Sequence, residues 1–199
     1  MKALIFSASF GAGHVRAAEA IIEELRIKEP SAEIIHLDFG AFLSKTVNSV
    51  MKNTYIEVIK YTPKLWREFY YRTSKIPPNS LLQRFLNGLG RHEFEKLLQK
   101  LQPDVVICTY PTAAGVLAQQ RLKGILKVPL VTIVTDYTLH SQWIHLGVDL
   151  YIVGCEEVYE GLVAGGINPN LIRLTGIPVS PKFDLKLDRL KLLQVGRLN

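Results

Sequence analysis

An α/β fold built on a parallel sheet is what this sequence predicts. Short, continuous apolar runs recur along the chain, helical periods separate them, and the first run passes through a glycine turn into an amphipathic helix. Lys2–Ser7 reads as a central strand. Apolar residues at helical spacing run from Val15 to Lys28 and stop before Pro30. Glu33–Leu37 is a second strand, closed by Asp38, and completes a βαβ unit. From residue 40 to 102 the period is helical, broken at Thr62-Pro63, at Ile76-Pro77-Pro78 and near Gly88 and Gly90, and offers no strand candidate. The alternation then resumes. Val105–Cys108, Leu130–Val134, Leu150–Val153 and Leu171–Leu174 read as strands, with helices over Thr112–Arg121 and Glu156–Ala164.

The 199 residues are 48% hydrophobic and 21% charged, the proportions of an ordinary globular protein with one good-sized domain, placed at 1–175. Two cysteines, Cys108 and Cys155, form no CxxC and no paired spacing, which excludes a disulfide scaffold and a zinc ribbon and fits a reducing, cytoplasmic setting. No apolar stretch approaches the roughly 20 residues that cross a bilayer, and the N-terminal run is too short for a signal peptide. Twenty-four Lys and Arg against 18 Asp and Glu give a net charge of +6, which favours anionic partners. After Gly176-Ile-Pro-Val-Ser-Pro181 the chain runs to Asn199 as a charged tail, read as a truncated interdomain linker.

Chemistry concentrates at two places. The first is the turn Ser7-Ala-Ser-Phe-Gly-Ala-Gly-His14, where Gly11 and Gly13 put backbone amides and a helix start in reach of an anion, and His14 adds a base or phosphate donor with an ordinary pKa of ~6.5. A dinucleotide fingerprint would need a third glycine where Arg16 stands, although Asp38 lies where a ribose-binding acid belongs. The bland alternative is a tight strand-to-helix turn. The second place is Thr135-Asp136-Tyr-Thr-Leu-His140-Ser-Gln-Trp143-Ile-His145, after the fourth strand. Carboxyl ends of parallel strands line one edge, so Asp136 and the histidines fall on the same edge as the glycine turn. Asp136, His140 and His145 are metal-ligand types, but their intervals match no usual zinc pattern and no metal is assigned. The structural alternatives are a helix N-cap for Asp136 and a core aromatic for Trp143.

A third feature is compositional. Residues 51–75 carry Tyr55, Tyr61, Trp66, Phe69, Tyr70 and Tyr71 together with Lys52, Lys60, Lys64, Arg67, Arg72 and Lys75, against Glu57 and Glu68. On a helical wheel Leu65, Trp66, Phe69, Tyr70 and Thr73 share one side, while Lys64, Arg67, Tyr71, Arg72 and Lys75 lie opposite. Such a helix docks on an anionic membrane surface or covers a core; no RNP, KH or GXXG pattern supports nucleic acid.

The turn with Val15-Arg-Ala-Ala-Glu-Ala20, the stretch from Thr135 to His145, and Thr175-Gly-Ile-Pro-Val179 together resemble the N-terminal domain of the monogalactosyldiacylglycerol synthase and processive diacylglycerol glucosyltransferase family, which is related to the MurG type. Ser9 stands where plant members carry an Asp, so no role of that Asp transfers. The resemblance implies a Rossmann-like parallel sheet with flanking helices, forming the N-terminal, acceptor-binding half of a GT-B fold. It places a helical insertion at about 40–102, and the donor-binding domain is absent after the linker at 176–199. It implies transfer of a hexose from a UDP-sugar, a donor substrate held mainly by the absent domain, to diacylglycerol. No cofactor or metal is implied. His14 and Asp136 would be catalytic; Gly11, Gly13, His140 and Trp143 would meet substrate; Lys64, Trp66, Arg67, Phe69, Tyr70 and Lys75 would hold the protein at the inner face of the cell membrane. A separate donor-binding chain would be the partner of a split enzyme. The alternatives are a non-catalytic lipid-surface module and a generic nucleotide-binding domain.

Overall fold

The computed structural model describes residues 1–9, 12–42, 61, 62, 64, 68, 73, 76, 80 and 91–184. Elements are numbered among these: β1 (Lys2–Ser7), α1 (Ala12–Lys28), β2 (Glu33–Asp38), α2 (Arg91–Leu101), β3 (Val105–Cys108), α3 (Pro111–Leu122), β4 (Leu130–Ile133), β5 (Leu150–Val153), α4 (Glu156–Ala164) and β6 (Ile172–Leu174). The strands form one six-stranded sheet in the order β2-β1-β3-β4-β5-β6, every neighbouring pair parallel.

This order explains the layers. From β1 the chain moves to one side to form β2, and from β3 it moves steadily to the other. Because parallel crossovers are right-handed, a reversal of direction sends the crossover helices to opposite faces. One face carries α1, where Ile5, Ala18 and Ile22 pack with Ile21, Leu25, Ile34 and Ile107. The other carries α2, α3 and α4, whose Phe94, Val116, Leu117, Val158 and Leu162 join Leu4, Phe6 and Val106 in the larger core. Strands covered on both faces need apolar residues at successive positions, which is why β1 reads as an unbroken run and is buried from Ala3 to Ser7.

Two boundaries differ from the sequence expectation. The first helix begins at Ala12 rather than Val15, so Gly13 and His14 belong to its first turn and not to the preceding loop. Leu171 closes a short 3-10 turn, Pro169–Leu171, and the last strand starts at Ile172. In the segment predicted as helical over 40–102, the last turns are α2; most of the rest, including Trp66, Arg67, Phe69, Tyr70 and Lys75, lies outside the described residues, as does Gly11.

Side-chain clamps finish the scaffold. Arg121 donates to the carbonyls of Leu126 and Val128 and, at 2.8 Å, to the Asp149 carboxylate, whose other oxygen accepts the Leu130 amide. After β6 the chain returns across the molecule to α1, where Ser180 donates to Glu23 and Lys182 Nζ lies 3.4 Å from the same carboxylate. These partners hold the Glu23 carboxyl below its ordinary range, the Ser180 bond most of all. No helix among the described residues is long and apolar enough to cross a membrane.

Candidate functional site

The reversal of strand order leaves a crevice between the carboxyl ends of β1 and β3, the place where doubly wound sheets receive ligands. His14 sits there, half-buried, on the first turn of α1. Thr109, one residue past β3, joins the two sides: its amide donates to the Phe6 carbonyl at 2.9 Å and its hydroxyl to the His14 carbonyl at 2.8 Å. The Thr109 carbonyl in turn faces His14 Nδ1 at 2.7 Å. A carbonyl oxygen only accepts, so Nδ1 carries the proton and Nε2 keeps its lone pair. Among the described residues nothing hydrogen-bonds to Nε2.

Burial pushes the His14 pKa below 6.5, and the Asp136 charge and the Thr109 carbonyl oppose that shift without reversing it. The imidazole is therefore neutral at neutral pH, and a proton arriving on Nε2 meets a carboxylate field that welcomes it. Those are the requirements of a general base. Tyr110 packs edge-on against the ring at 5.3 Å between centroids, and Trp143 lies 6.1 Å away.

Asp136 follows β4 and is not a helix N-cap. Its Oδ2 accepts the Trp143 indole N–H at 2.7 Å, so Trp143, fully buried, is both a core aromatic and the fixed partner of this carboxylate. His140 caps the short 3-10 turn Ser141–Trp143: its Nδ1 accepts the Gln142 amide at 3.1 Å, which leaves the proton on Nε2, 3.1 Å from the Thr73 hydroxyl. Ser141 donates to the Thr73 carbonyl at 3.3 Å. Burial lowers the His140 pKa, with Asp136 opposing. Thr73, on the wheel's aromatic side, is half-buried and Lys64 is exposed.

Three glycines seat the loop that carries these groups. A Cβ on Gly161 would meet Leu139 Cδ2 at 2.7 Å, one on Gly165 would meet Ile144 Cδ1 at 2.7 Å, and one on Gly147 would fall 2.2 Å from the Ala118 carbonyl oxygen. Leu139 and Ile144 are thus pegs in two notches four residues apart, one on α4 and one at its C-cap. Tyr151 on β5 adds a hub, its hydroxyl accepting the His145 amide at 2.9 Å and facing the Trp143 and His145 carbonyls at 2.8 and 3.0 Å.

The sequence-derived candidates separate cleanly. His14, Asp136 and Trp143 come together, and His140 joins them through the Asp136 field. Among the described residues a Cβ on Gly13 would meet nothing within 4 Å, so no described neighbour requires glycine there. His145 turns away, fully buried, with Nε2 donating to the Pro111 carbonyl at 3.2 Å and its pKa pushed down to about 4 by burial. It is a loop anchor. Among the described residues no group of three His, Cys, Asp or Glu is arranged to hold a metal ion. Asp38 ties the turn together: its two oxygens accept the amides of Ser9 and Gly40 at 3.2 and 2.7 Å. Sequence reasoning misses Thr109, Tyr110, Thr135 and Tyr151; for the first three the one available signal is a position just past a strand end, and Tyr151 within β5 offers none.

The family model described as monogalactosyldiacylglycerol (MGDG) synthase matches residues 14–179. A processive diacylglycerol beta-glucosyltransferase of Staphylococcus haemolyticus is 29% identical over 199 residues, covering 100% of this chain and 49% of the relative. Its namesake from Staphylococcus aureus strain MRSA252 is 29% identical over 189 residues, 94% of this chain and 47% of the relative. The chain thus spans about half the length of the curated relatives it matches. Among solved structures, Anabaena Alr3699/HepE in complex with UDP-glucose aligns with a TM-score of 0.52 at 13% identity, over 100% of this chain and 49% of that one. That likeness extends the Rossmann-like sheet to the N-terminal half of a GT-B glycosyltransferase fold.

Proposed function

The chain belongs to the monogalactosyldiacylglycerol synthase family, and from that premise we propose that it is the acceptor-binding half of a glycosyltransferase that moves a hexose from a UDP-sugar to diacylglycerol. The observation that carries the reading is a His14 whose pKa burial lowers, whose Nδ1 proton is committed to the Thr109 carbonyl, whose Nε2 has no hydrogen-bond partner among the described residues, and on which the Asp136 charge acts. In the reaction the free hydroxyl of diacylglycerol gives its proton to His14 Nε2 while its oxygen bonds the sugar's anomeric carbon. The bond from that carbon to the diphosphate breaks, and UDP leaves with the electron pair. Asp136 stabilises the imidazolium formed, and Trp143 holds Asp136 in place. Gly11, Gly13 and His140 border the acceptor. Donor binding falls to a further segment or a separate chain, so the 199 residues alone are expected to bind lipid without turnover.

The test is complementation. Purified chain in diacylglycerol vesicles should stay inactive with UDP-glucose or UDP-galactose and gain transfer when the donor-binding half of a staphylococcal relative is added. A photoreactive diacylglycerol should label the crevice near His14 in either state. Turnover by the chain alone defeats the half-site reading. Labelling without any transfer after complementation favours the non-catalytic lipid module.

Acceptor supply implies a membrane-facing surface, and the segment 51–75 is assigned that part. The cations add roughly 1 kcal/mol each near an anionic surface, which gives reversible binding at the inner face of the cell membrane. Co-sedimentation with anionic vesicles is expected to weaken when Lys64, Arg67 and Lys75 become Gln, and to weaken at every salt concentration when Trp66 and Phe69 become Ser. A wild-type chain that ignores vesicles while the Trp66 and Phe69 changes unfold it would favour the core-covering reading of this segment.

A further inference from the structure

We propose that Thr135 is a positioning residue for His14, one prong of a two-oxygen fork that fixes which imidazole nitrogen faces the crevice. The proposal rests on the reading of His14 as the base. Thr135 Oγ1 lies 2.8 Å from His14 Nδ1, and the Thr109 carbonyl lies 2.7 Å from the same atom. Those two oxygens come from different strand ends, Thr109 just after β3 and Thr135 just after β4, whereas His14 comes from the helix that follows β1.

A hydroxyl both donates and accepts, so Thr135 alone would leave the tautomer open. The carbonyl decides it. With Nδ1 protonated against Thr109, Thr135 serves as a second acceptor of the same N–H, a three-centre arrangement that restrains rotation of the ring about its bond to the backbone-side carbon. The geometry suits a group that cycles between neutral and charged forms. Proton uptake occurs on Nε2, so the Nδ1 bonds need not rearrange; they strengthen, because an imidazolium N–H is the better donor. Asp136, from the loop after β4, is the charged group whose field favours the protonated ring. Thr135 is half-buried and precedes Asp136 directly, so one short stretch past β4 supplies both one prong of the fork and the countercharge.

The test reads the ring itself. In ¹⁵N-labelled chain, with His14 assigned by loss of its signals in His14→Gln, the wild type should show a protonated Nδ1 and an unprotonated Nε2 at neutral pH. Thr135→Val keeps the shape and removes the oxygen; it should lower the His14 pKa by roughly one unit, with Thr135→Ser restoring it. In the complemented enzyme Thr135→Val should cut kcat about tenfold, the rate equivalent of one such bond, at unchanged KM, and Thr135→Ser should recover most of the loss. A wild-type His14 protonated on Nε2 overturns the proposal without any variant. So does a Val variant that folds with an unchanged His14 pKa. If the ring behaves as expected but His14→Gln leaves transfer intact, the fork stands as a structural fact and the reading of His14 as base is what fails.

Discussion

Replacing His14 with Gln is expected to lower hexose transfer by the complemented chain by about 100- to 10,000-fold, the usual share of a general base, while the thermal midpoint stays near that of the wild type. His14→Asn should lose as much, and because the Asn amide occupies the place of Nδ1 it can still donate to the Thr109 carbonyl, so the contact that joins α1 to the end of β3 survives and only the proton acceptor is lost. The wild-type rate should rise with pH until His14 is neutral and then level off, with the inflection below 6.5 because burial depresses this imidazole. Asp136→Asn keeps an oxygen for the Trp143 indole and removes the charge. Its inflection should move to still lower pH, since the carboxylate is what favours the imidazolium, and its plateau should fall with the loss of that support. Twofold losses in both variants would reduce the pair to scaffolding.

The second large effect is on stability. His145 is held neutral inside the protein, with a pKa of about 4 against an ordinary 6.5, so the unfolded chain takes up a proton that the folded chain refuses. A depressed imidazole pKa contributes stability above the unfolded value and loses it as pH falls toward the folded one. His145 alone should therefore remove about 3 kcal/mol between pH 6.5 and about 4. His14, His36 and His140 are depressed by burial as well and act in the same direction. Urea midpoints followed across this window should fall steadily. His145→Gln should start lower, having lost a packed side chain, and fall less steeply. Equal midpoints at both ends of the window would mean that this imidazole is not sealed from water.

The sheet was legible because a doubly covered parallel strand must be apolar at every position. Ala3, Leu4, Ile5 and Phe6 are all fully buried, and a run of that kind has few other uses. The first helix was read short because Gly13 is statistically a turn residue, and nothing local reveals that the first turn of α1 takes it in. At the site, His14 and Asp136 announce themselves by chemistry, and the parallel topology places them on one edge. The groups that fix the His14 tautomer leave no such trace. A main-chain carbonyl has no sequence signature at all, and Thr109 and Thr135 look like any threonine until the strand ends are brought together. His145 shows the converse: its residue type suggested a ligand, and burial against Pro111 made it an anchor.

The notches at Gly147, Gly161 and Gly165 make the Asp136 loop poorly portable between proteins. Its shape is stored outside itself, in two gaps on α4 and at its C-cap and one flat stretch of α3 beside Ala118. Grafting the segment from Thr135 to His145 into another parallel-sheet domain would carry the carboxylate and its indole partner but not the recesses that receive Leu139 and Ile144. In a recipient helix with alanine or larger residues at those sites the pegs would be pushed out, and Asp136 would move with them. A transplant that works must move both receiving helices together with the loop, which makes α3 through α4 the smallest exchangeable unit for this loop.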